Sequence, residues 1–114
     1  MLDLNNLYWE EEQNIGLIKS TAQRVWGNNV RFGEIKVIDS PYPEFELIMR
    51  LYNKINIMLV YDRSTLDIGI PKDGEYVLMD KFTDEPFVRG MRATQPDNLV
   101  NNFALLDKVV KNII

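Results

Sequence analysis

Between Val30 and Phe82 the chain is written in five short apolar runs, and this pattern limits the fold more than any other feature. The runs are VRFGEIKVI (30–38), FELIMRLYN (45–53), INIMLVYD (55–62), LDIGI (66–70) and EYVLMDKF (75–82). They are rich in β-branched and aromatic residues and are separated by Pro, Gly, Asp and Asn. Runs of that length cannot complete a helix face but suit strands joined by tight turns, so the stretch reads as a five-stranded antiparallel meander. INIMLVYD is apolar at both parities, with Ile57, Leu59 and Tyr61 against Met58 and Val60. It is expected at the centre of the sheet with both faces covered, and Met58, Leu59 and Val60 at the centre of the core. LDIGI sets Leu66, Ile68 and Ile70 against Asp67 and Gly69 and is expected to be half exposed.

The period changes on either side of this block. In residues 5–26, Ile15, Ile18, Ala22, Val25 and Trp26 recur three and four apart, the spacing of one helix face. Asp3, Asn5 and Asn6 are candidate N-caps, and Gly27 stands where a helix end favours positive φ. In residues 97–114, Leu99, Phe103, Leu106, Val110 and Ile113 repeat the helical spacing, and Val100, Ala104, Leu105 and Val109 widen the stripe. The connector DEPFVRGMRATQPD is expected to hold a short edge segment around Phe87 and Val88. The fold class is therefore α+β: an N-terminal helix, a five-stranded meander and a C-terminal helix, with helices packed on the sheet. With neither repeat nor linker, residues 1–114 read as a single domain, at a length able to bury a core without disulfides.

Composition narrows the chemistry. The chain has neither cysteine nor histidine, which removes thiol nucleophiles, thiolate and imidazole metal sites and the commonest general base. Thirteen basic against seventeen acidic residues give a net charge of −4, the wrong sign for a phosphate backbone, so no nucleic-acid partner is expected. No apolar run approaches the roughly 18 to 20 residues that span a bilayer, and the N-terminus lacks the basic start of a secretory signal. A cytoplasmic site and no membrane association are the expectation.

Asp62, Asp67, Asp73, Glu75 and Asp80 punctuate the last strands and raise the question of a metal. A calcium loop starting at Asp62 needs oxygen ligands at alternate positions and glycine at the sixth, but meets Leu66 at the fifth and Asp67 at the sixth. Turn chemistry accounts for the same residues: DRST joins two strands, and Asp73-Gly74 is the dipeptide of a two-residue hairpin. No metal and no cofactor are expected. Isolated glycines make neither a P-loop nor a dinucleotide fingerprint. Glu44 and Glu46 share a strand face, as a carboxylate pair would, yet fit a solvated sheet surface. Ser20, Ser40 and Ser64 stand in no nucleophile-elbow motif. The chain is expected not to be an enzyme.

What remains is recognition. Tyr8 and Trp9 beside Glu10, Glu11 and Glu12 combine aromatic anchors with an acidic rim and form the candidate protein-binding site. Arg89 and Arg92, flanking Gly90, are candidate anion-binding residues. The leading expectation is a non-catalytic, acidic protein-binding module acting on a protein partner, with a basic partner fitting its charge. By analogy of class, its size, charge and layout are similar to bacterial immunity proteins that neutralise a partner by occluding it. The alternatives are a ligand-binding or enzymatic domain with a pocket between helix and sheet, lined by Tyr61, Tyr76, Phe82 and Arg89, and a homo-oligomer, such as a homodimer, built on the C-terminal helix.

Overall fold

The computed structural model describes residues 4–38, 44–62 and 65–114, and the side chains among them from Glu12 onward except that of Met91. Helix α1 spans Leu4–Trp26, strands β1 Val30–Val37, β2 Glu44–Leu51, β3 Ile55–Asp62, β4 Thr65–Lys72 and β5 Glu75–Leu78 follow, and helix α2 spans Pro96–Ile113. The strands pair antiparallel in the order β1-β2-β3-β4-β5. The α+β meander expected from the sequence is the fold.

Turns form where the residue chemistry allows them. Gly27 takes φ +56° and ends α1. Asp73 and Gly74 take φ +54° and +82°, the pair of left-handed residues a tight hairpin requires. Pro71 has no N–H to donate, and it lies beyond Gly69, where pairing of β4 with β3 has ended. A register shift between Phe32 and Ile35 places a bulge in β1.

One parity of the sheet is buried. Phe45, Leu47, Met49 and Leu51 of β2, Ile57, Leu59 and Tyr61 of β3, and Leu66, Ile68 and Ile70 of β4 form a single cluster with Ile18, Ala22 and Trp26 of α1 and Leu99, Phe103, Leu106 and Val110 of α2. The two helices touch each other: the Trp26 and Phe103 rings meet at 5.2 Å between centroids. Both therefore lie on one side of the sheet, and each fully buried aliphatic or aromatic side chain contributes about 1.5–3 kcal/mol.

That arrangement corrects the expectation for β3. The strand is central, and Leu59 is fully buried, but Met58 and Val60 are only half-buried because no described helix covers their face. Apolar residues at both parities arise here from an uncovered apolar surface and not from a second layer. β4 is better buried than its alternation suggested: Ile70 lies in the core, and Gly69 on the other face is buried between Met58 and Tyr76. The Phe87–Val88 segment forms no strand; the connector instead coils into a 3-10 turn at Gly90–Thr94.

Candidate functional site

The uncovered sheet face is built by the strand register. Ile48 of β2 lies opposite Met58 of β3, Met58 opposite Gly69 of β4, and Gly69 opposite Leu78 of β5. These four positions make an apolar row running across the strands. Leu78 and Tyr76 are exposed, at 49% and 45%, unusual for large apolar side chains. Glycine keeps the row low: a Cβ on Gly69 would meet the Tyr76 Cβ at 3.2 Å, and one on Gly33 of β1 would meet the Ile48 Cβ at 3.3 Å.

Charge is sorted on either side of this row. Two residues toward one end lie Lys36, Glu46, Val60 and Asp67, and beyond them Glu44 opposite Asp62. Two residues toward the other end lie Arg31 opposite Arg50, then Asn56, Pro71 and Tyr76. Arg50 donates to Asn56 Oδ1 at 2.9 Å and to the carbonyl of Asn53 at 3.0 Å, both neutral acceptors, so its charge is not cancelled there. Glu44 and Glu46 do share a face, as their spacing required, and both are half-buried there.

A second feature lies at the rim of the sheet. A cavity of about 90 Å³ opens between β4, the Leu78–Asp80 segment and the connector. Asp80 enters it with Oδ2 held by Arg89 Nη1 at 3.2 Å and Oδ1 buried with no hydrogen-bond partner among the described residues. The Arg89 guanidinium lies 4.9 Å from the Phe87 ring centroid. Asn102 of α2 forms part of the wall and donates from Nδ2 to the Val88 carbonyl at 2.8 Å.

The third feature joins the two helices to a hairpin. Asp107 of α2 accepts from the Trp26 indole at 2.8 Å and from the Tyr52 hydroxyl, and pairs with Lys111 at 3.1 Å. Burial works against its charge, but the bonds from Tyr52, Trp26 and Lys111 outweigh it and hold the carboxyl below its usual range. Burial first, and the neighbouring carboxylate second, push the Tyr52 phenol up. A carboxylate already taken by three donors is a latch and not a poised base.

Among the residues singled out from sequence, the structure describes some and not others. The side chains of Tyr8, Trp9, Glu10 and Glu11 lie outside the described residues, while Glu12 is exposed on α1. Arg89 and Arg92 share no hydrogen-bond or ion-pair partner among the described residues, so they form no common anion clamp. The pocket drawn from Tyr61, Tyr76, Phe82 and Arg89 does not form: Tyr61 is buried against Phe45 on the core side, and Tyr76 points to the open face. Asn102, Tyr52 and Asp107 escaped sequence reasoning because each is an isolated polar residue whose partners are remote in the chain, and Asp80 read only as turn punctuation. No group of acidic side chains able to hold a metal ion occurs among the described residues, and no described helix is long and apolar enough to cross a membrane. Comparison with protein-family models, with curated proteins and with solved structures gave no match.

Proposed function

We propose that the chain is a non-catalytic protein-binding module whose working surface is the uncovered sheet face. The observation that carries this reading is the row Ile48, Met58 and Leu78, half-buried to exposed apolar side chains flanking the buried Gly69, on the face that neither described helix covers. An interface needs an apolar centre and a polar rim, and the row with its flanking charges has both. The acidic end, with Glu44, Glu46, Asp62 and Asp67, suits a partner surface carrying basic residues. An immunity-type role, in which a basic partner is occluded inside the cytoplasm, is the biological form we favour; the net charge of −4 weighs against nucleic acid. The Tyr8–Glu12 segment is proposed as an auxiliary contact that steers association.

The products of neighbouring genes are the natural probes. Each would be titrated calorimetrically with the wild-type chain and with Met58→Asp, which places a charge in the centre of the row. One product should bind the wild type and lose most of its affinity for the variant. Equal binding by both would remove this face from the function.

A second reading has one observation of its own, the unpartnered Asp80 Oδ1 beside Arg89 in the rim cavity. That oxygen would accept from a small ligand bearing an N–H or O–H group, in a volume worth about three waters. A screen of small amines and alcohols by thermal shift, with Asp80→Ala as control, would detect it as stabilisation that the control lacks.

A further inference from the structure

We infer that the uncovered face is occupied, in the isolated protein, by a second copy of the chain. The two sheets lie face to face across a two-fold axis that runs along the Ile48–Met58–Gly69–Leu78 row. This rests on the reading of the face as a protein-binding surface, and names its occupant when no other partner is present.

The symmetry follows from where the charges stand. A two-fold along the row reverses strand direction, so a residue two places toward the acidic end of one copy meets one two places toward the basic end of the other. Glu46 then faces Arg50 of the second copy, and Arg50 faces its Glu46, giving two opposite-charge pairs beside the apolar row. A two-fold parallel to the strands would instead set acid on acid. The row meets itself, Met58 against Met58, and the glycines at 33 and 69 keep the surface low enough for close approach.

The face also contains an unanswered charge that a second copy answers. Arg31 and Arg50 are direct cross-strand neighbours, a like-charge pairing that disfavours the isolated sheet. Arg50 spends its bonds on neutral Asn53 and Asn56. A facing Glu46 relieves that repulsion. One contact, repeated by the symmetry, is unfavourable: Lys36 faces Arg31 of the second copy and Arg31 its Lys36, two like-charge pairs at the β1 edges, where solvent screens them.

Size sets the strength. Four strands about 26 Å long and β5 at about half that length, spaced about 4.8 Å apart, offer about 560 Å² per copy, or about 1,100 Å² in all, just under a standard specific interface and in the range of transient contacts. The dimer is therefore reversible and concentration-dependent, and a stronger partner displaces it from the same face.

Sedimentation equilibrium of the full chain over a concentration series tests this, with circular dichroism confirming that each variant folds. The wild type should show a monomer–dimer equilibrium. Arg50→Glu and Glu46→Arg should each weaken self-association about tenfold or more, and an equimolar mixture of the two should recover a dimer, since each supplies the charge the other lacks. Lys36→Glu should tighten the dimer by turning its two symmetry-related repulsive meetings into attractions. A wild type that stays monomeric throughout overturns the proposal. So does a dimer indifferent to Arg50→Glu, a mixture no better than its components, or a Lys36→Glu variant that dimerises no more tightly than the wild type. If the wild type is monomeric yet Met58→Asp still abolishes capture of a partner, self-association falls and the binding face stands. If Met58→Asp captures like the wild type, the binding face itself falls.

Discussion

Trp26, the last residue of α1, donates its indole N–H to Asp107 of α2 across 2.8 Å, tying together chain segments 81 residues apart. The same carboxylate accepts the Tyr52 hydroxyl from the β2–β3 hairpin. Three elements thus close on one ionised group. Tyr52 itself sits at φ +55°, which a bulky residue adopts only when its surroundings hold it there. Its N–H to the Asn29 carbonyl at 2.8 Å and its hydroxyl to Asp107 are those constraints.

Asp107→Ala should therefore destabilise the fold by about 1–3 kcal/mol, because it strands a buried indole N–H and leaves the Tyr52 hydroxyl without its acceptor. Urea denaturation measures it. Since the folded carboxyl lies below its unfolded value of about 3.9, the stabilisation is present above that pH and is lost as pH falls through the folded value. Tyr52 acts at the other limit: its raised phenol contributes stability below about pH 10 that is lost as pH rises further. Asp107→Asn should flatten the acid limb of stability against pH; an unchanged acid limb would show the latch carries no such weight.

Adjacent residues of β3 should respond very differently to truncation. Leu59 is fully buried, and Leu59→Ala should cost about 2–5 kcal/mol. Met58 faces the uncovered side, and Met58→Ala should cost less than half as much. Equal losses, read from chemical denaturation of both variants, would mean that the open face is covered in solution.

Gly74 holds φ +82° with open space around its missing Cβ, so a substitution there meets backbone strain and not a clash. Gly74→Ala should destabilise by about 1–2 kcal/mol. Gly27→Ala, at φ +56°, should behave alike. Thermal melts that show no loss for either would contradict the left-handed turns.

The fold should be independent of metal. Melting curves with and without a strong chelator should coincide, and a fall of several degrees in chelator would reveal a bound ion that contributes to folding.

The five strands of the meander and both helices were legible because period-two alternation and three-four spacing are local signals, carried within each run. The buried parity of β2, Phe45 to Leu51, alternates cleanly with Glu44, Glu46 and Arg50. The expectation that failed was the layer count, which put a cover on both faces of β3. Met58 and Val60 look the same whether a helix or water lies over them, and only the pairing of Trp26 with Phe103 places both helices on the same side. The polar clusters were less legible still, since Tyr52, Asp107 and Trp26 acquire meaning only through contacts across 55 and 81 residues.

The bulge between Phe32 and Ile35 and the four-residue length of β5 have a consequence for how this sheet survives with an apolar side bare. A sheet extends into fibrils by adding strands along its borders, which requires a long, regular row of free N–H and C=O groups. At the β1 border the row is interrupted by the register shift, and at the β5 border it stops after a single turn's length of chain. Growth by strand addition is blocked at both margins, which leaves stacking through the flat side, a contact that ends after one layer. The chain can thus keep an adhesive surface without becoming an amyloid template.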